Sequence, residues 1–63
     1  MKTRVTFRDD RFMTNFSLDE AESRIYEILY FVGIPAKDIE VTKAADWRSI
    51  AWPNGQIELE AVC

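Results

Sequence analysis

A chain of 63 residues has room for one hydrophobic core, so residues 1–63 are expected to form a single small domain. With no histidine and one cysteine, Cys63, the chain can build neither an internal disulfide nor a zinc site, and no metal or cofactor is expected. Its 11 acidic and 8 basic residues leave a net charge of −3, which argues against general nucleic-acid backbone binding and favours a protein partner.

A domain of this size buries only roughly 60% of the surface that its unfolded chain exposes. Small domains usually add a disulfide, a metal or a partner chain. The first two are closed here, so self-association as a homodimer or docking on another protein is expected. The chain enters a strand-like segment directly after Met1-Lys2-Thr3-Arg4, with no apolar signal stretch, and no run reaches the length of a membrane span. A soluble, cytoplasmic protein without membrane contact is the expectation.

Residues 3–8 and 11–16 alternate in polarity around Asp9-Asp10, which predicts a β-hairpin. The register drawn from that turn pairs Phe7 with Phe12, Val5 with Thr14 and Thr3 with Phe16. It places Val5, Phe7, Phe12 and Phe16 on one face.

Ser17-Leu18-Asp19-Glu20 is a capping box, and Gly33-Ile34-Pro35 supplies a left-handed stop followed by a residue that cannot continue a helix. A helix is therefore predicted between Ser17 and Gly33. Its apolar stripe is Leu18, Ala21, Ile25, Ile28, Leu29 and Val32. Tyr26 and Tyr30 follow one flank beside Glu22, and Phe31 falls nearly opposite the stripe.

Residues 38–43 alternate strictly and predict a strand with Ile39 and Val41 inward. A second hairpin, 47–52 and 56–62, turns at Pro53-Asn54-Gly55. A three-residue loop is favoured, because a two-residue Asn54-Gly55 turn would place Pro53 where a hairpin N–H is needed. That loop pairs Trp52 with Gln56 and Arg48 with Glu60. It turns Trp47, Ala51, Ile57, Leu59 and Ala61 toward the core, and leaves Ile50 and Trp52 outside. The expected architecture is an α+β fold of two layers, ββαβββ, with one helix on a mainly antiparallel sheet.

The usual machinery of catalysis is missing. No histidine is present as general base, Cys63 has no base fixed beside it, and Gly33 and Gly55 stand alone instead of forming a phosphate loop. The carboxylate pairs Asp9-Asp10 and Asp19-Glu20 read as a turn and a helix start. A protein that is not an enzyme is expected.

The aromatic surplus points to binding. Of the eight aromatic residues, Tyr26, Tyr30, Phe31 and Trp52 have no core position in this register, and Tyr and Trp supply much of the energy at interfaces. The expected partner-binding set is Asp19, Glu20, Glu22, Tyr26, Tyr30, Phe31, Ile50 and Trp52. The carboxylates would meet a basic surface on a target protein, and the aromatics would supply the buried contacts. Two other readings stand beside it: a homo-oligomer joined through an open sheet face or edge strand, and a single-strand nucleic-acid binder using Arg4, Arg8 and Arg11. Asp9 and Asp10 oppose the last by cancelling much of the field of Arg8 and Arg11. In size, acidity and lack of catalytic groups the chain resembles the small inhibitor and adaptor proteins of phages and mobile elements, anti-CRISPR proteins among them. The resemblance rests on composition and no specific motif, and it implies an inhibitor that covers a nucleic-acid-binding surface.

Overall fold

A computed structural model describes residues 2–62, so the Cys63 thiol lies outside the described residues. The elements follow the order ββαβββ: β1 (Lys2–Phe7), β2 (Asp10–Thr14), α1 (Leu18–Val32), a 3₁₀ turn (Ala36–Asp38), β3 (Glu40–Lys43), β4 (Trp47–Trp52) and β5 (Gly55–Val62). All strand pairs are antiparallel, and the five-stranded sheet runs β2-β1-β5-β4-β3. One helix covers one face, which makes the α+β, two-layer fold expected from the sequence.

The helix begins and ends at its caps. The Ser17 hydroxyl accepts from the Glu20 N–H at 3.2 Å, and Gly33 takes the left-handed conformation at φ 97°. The Gly33 N–H donates to the Leu29 and Tyr30 carbonyls, and the Ile34 N–H to Leu29, which satisfies two carbonyls of the last turn. Leu18, Ala21 and Leu29 enter a core with Val5, Ile50 and Leu59. Ile28 and Val32, expected in the same stripe, are exposed and line an open groove between α1 and the β2 side of the sheet.

Both hairpins close with two-residue loops. In the first, the loop is Arg8-Asp9 and the pairs are Phe7 with Asp10, Val5 with Phe12 and Thr3 with Thr14. The shift from the expected register is two residues along β2, so every side chain keeps its face. Phe12 stays on the helix side but sits at the sheet edge, half-exposed instead of in the core. Buried Thr3 donates its hydroxyl hydrogen to the Phe16 carbonyl at 2.7 Å and ties β1 to the segment entering α1.

The second hairpin overturns the expected loop. Trp52 pairs with Gly55, Ile50 with Ile57 and Arg48 with Leu59, around Pro53-Asn54. One residue fewer in the loop reverses the face of β4. Arg48, Ile50 and Trp52 now share the helix side with Ile57, Leu59 and Ala61, whereas Trp47 and Ala51 lie on the open face. Pro53 sits within the turn, where it withholds no ladder hydrogen bond. Gly55 then stands under the Trp52 indole, where a Cβ would come within 2.7 Å of the ring. The expected Arg48–Glu60 pair is absent; Glu60 stands opposite Arg4 and bonds it at 2.9 Å.

The third segment follows its prediction more closely. Ile39 and Val41 pack against the core, although residues 36–38 form the 3₁₀ turn and the strand itself begins at Glu40.

Candidate protein-interaction surface

The residues singled out from sequence separate into three groups. The first is a charge cluster at the start of α1. Arg48 rises from β4 and, through Nη1, donates to Asp19 Oδ1 at 2.6 Å and to Glu22 Oε1 at 2.8 Å. Lys43 Nζ lies 3.7 Å from Glu22 Oε2. The Glu22 and Arg48 side chains are nearly buried, whereas Asp19 is open to solvent. The hydrogen bond to Asp19 is the largest cause raising the Arg48 pKa, against a lowering by burial, so its guanidinium stays charged. Asp19 and Glu22 therefore hold the helix to the sheet and are not the free acidic patch that the sequence suggested. Glu20 remains exposed.

The second group belongs to the core. Ile50 is 0% exposed and cannot touch a partner in the folded protein. Trp52 is half-buried and stacks on Phe7, with ring centroids 6.3 Å apart and planes at 21°. Ile50 is thereby removed from the expected binding set, and Trp52 lies on the helix side of the sheet instead of the open face. Both corrections come from the face reversal of β4.

The third group is the surface itself. Tyr30 and Phe31, on consecutive positions of the last helical turns, are 79% and 87% exposed. Their rings meet edge to face at 6.3 Å and 72°. Tyr26, half-buried, extends this patch toward the N-terminus of α1, and its phenol pKa is raised, first by burial and then by the neighbouring Glu22 carboxylate. Tyr26, Tyr30 and Phe31 line a shallow, largely apolar depression with Ile34 and Ile39, and Glu27 stands at its side.

A second apolar surface was not singled out from sequence. Phe12, Ile28 and Val32 are more than half-exposed and face one another across an open groove of about 340 Å³ between α1 and the β2 edge. Their apolar character was legible, but periodicity assigned them to the core. Only the open groove in the folded protein shows that nothing covers them.

Among the described residues, one of the three arginines on the basic face is ion-paired. Arg4 bonds Glu60, and Arg8 lies over the Phe7 ring with its guanidinium carbon 5.1 Å from the centroid. Arg11 shares a shallow depression with Arg4, Trp47, Glu58 and Glu60.

Among the described residues, no group of three or more histidine, cysteine, aspartate or glutamate side chains is placed to hold a metal ion. No helix of these residues is long and apolar enough to cross a membrane. Comparison with family models, curated proteins and solved structures gives no match to this chain.

Proposed function

We propose that this protein is a non-enzymatic binding module that docks the aromatic end of α1 on another protein. The observation that carries this reading is the exposed Tyr30–Phe31 pair on a well-capped helix. Large apolar groups left in water on a rigid element mark an interaction site, and a fixed helix keeps the entropy cost of ordering them low. Tyr26, Ile34 and Ile39 extend the contact, and the exposed carboxylates of Glu20 and Glu27 match a partner with a basic rim. In this reading the protein is an inhibitor or adaptor of the phage and mobile-element kind. It competes with nucleic acid for a positively charged surface on its target, as an anti-CRISPR protein would. The nucleic-acid-binding alternative is disfavoured because Arg4 is engaged by Glu60.

The test compares tagged wild type with the Tyr30→Ala/Phe31→Ala variant in pull-downs from the host, with circular dichroism verifying the fold of both. A partner retained by wild type, lost with the variant and displaced by added nucleic acid is the expected result. Equal capture by both proteins would remove this surface from the interaction.

A further inference from the structure

We propose that two copies of this chain pair antiparallel through the free edge of β2, with Phe12 facing its own counterpart across a twofold axis. The direction of the backbone groups supports this. The Ala61 N–H donates to the Asp46 carbonyl, on the β4 side, at 2.8 Å. Antiparallel ladders alternate, so Thr3, opposite Ala61 on β1, directs its N–H and C=O to β2, and Val5 and Phe7 do the same. Their partners Thr14, Phe12 and Asp10 point back to β1. The N–H and C=O groups of Arg11 and Met13 are thus the ones that β2 presents to solvent.

An axis through Phe12 uses all of them. Arg11 falls opposite Met13 of the second copy, an arrangement that forms four main-chain hydrogen bonds by symmetry, and Asp10 falls opposite Thr14. No like charges stand directly opposite each other, although the two Arg11 side chains become diagonal neighbours on the open face, which weakens the pairing. Phe12 meets Phe12 in the close, non-hydrogen-bonded position, on the helix side of the sheet. There the groove walls, Ile28 and Val32 of each copy, flank the new aromatic pair. The edge strand with Phe12, Met13, Ile28 and Val32, already partly covered within one copy, would bury less than the roughly 800 Å² per partner of a standard interface. This area fits a reversible, concentration-dependent dimer. The other free edge, β3, offers less, because Val41 on its helix side already packs against the core.

This pairing uses the opposite side of α1 from Tyr30 and does not depend on the proposed docking surface. Sedimentation equilibrium from about 10 μM to 1 mM, a range that brackets weak association, tests it. Wild type should pass from one chain mass to two. Phe12→Lys and Phe12→Glu should each weaken association at least tenfold, and a 1:1 mixture of the two should restore it. Met13→Pro removes an outward N–H but no bond to β1, so it should also give a folded monomer. The Tyr30→Ala/Phe31→Ala variant should dimerise like wild type. A wild type that stays monomeric at 1 mM, Phe12 variants that dimerise unchanged, or a charge-paired mixture that stays monomeric would each overturn the proposal.

Discussion

The Arg48 guanidinium donates to the Glu22 carboxylate at 2.8 Å across the helix–sheet interface, where both side chains are almost withdrawn from water. The pair orients α1 on the sheet, and it exists only because β4 turns Arg48 inward. Removing Arg48 leaves the nearly buried Glu22 with only Lys43, 3.7 Å away, to offset its charge. Arg48 without Glu22 would keep Asp19 at 2.6 Å, so the arginine is the costlier member to lose. Arg48→Met should therefore destabilise by about 2 kcal/mol or more, whereas Arg48→Met with Glu22→Leu should recover most of the loss. Urea unfolding of the two single variants and the double variant measures the coupling. Additive losses would show that the pair is not a unit.

Tyr26 makes stability depend on pH at the alkaline end. Its folded pKa lies above the ordinary 10.0, so the unfolded chain gives up this proton first. The stabilisation is complete below pH 10 and is lost as pH rises from there through the raised value. Denaturation midpoints followed above pH 10 should fall less steeply in Tyr26→Phe than in wild type. Equal slopes would exclude Tyr26 as the source.

Gly55 is fixed by the Trp52 indole. A Cβ at position 55 would meet Trp52 Cζ2 at 2.7 Å, and the indole is held by its stack on Phe7. Gly55→Ala should cost about 1–3 kcal/mol. Combined with Trp52→Ala, the same change should cost much less than in wild type, since its obstacle is gone. A cost for Gly55→Ala that persists unchanged without the indole would place the strain elsewhere.

Arg8 is the one non-glycine residue at positive φ, 58°, among those described. It is the first of the two loop residues, the position that a type II′ turn reserves for glycine. Arg8→Gly should leave stability equal or higher, with relief of the backbone offsetting the lost contact with Phe7. Arg8→Val, β-branched at the same φ, should lower it by about 1 kcal/mol. Thermal melts of the two variants give the comparison, and a valine variant as stable as the glycine one would contradict it.

What the sequence alone determined is local or follows from a short period. The boundaries of α1 follow from Ser17, Glu20 and Gly33, whose groups satisfy backbone atoms three or four residues away. The element order and the inward positions of Val5, Ile39 and Val41 follow from two-residue alternation. Phe31 was legible as a surface residue, because its angle on the helix lies nearly opposite the stripe of Leu18, Ala21 and Leu29. Tyr30, on the flank, fitted the edge of the core as well as an interface, and only the structure shows it 79% exposed. Tertiary structure alone decided the strand order, the face of β4 and the cover over Ile28, Val32 and Phe12. The face of β4 turned on one loop residue, and both loops leave an alternating strand. Only packing of Ile50 against Leu59 and α1, with Arg48 able to reach Glu22, selects the face that is seen. Cover is likewise a property of neighbours: the same apolar side chain is core beneath a helix and surface beyond its edge, and neither residue type nor spacing records which applies.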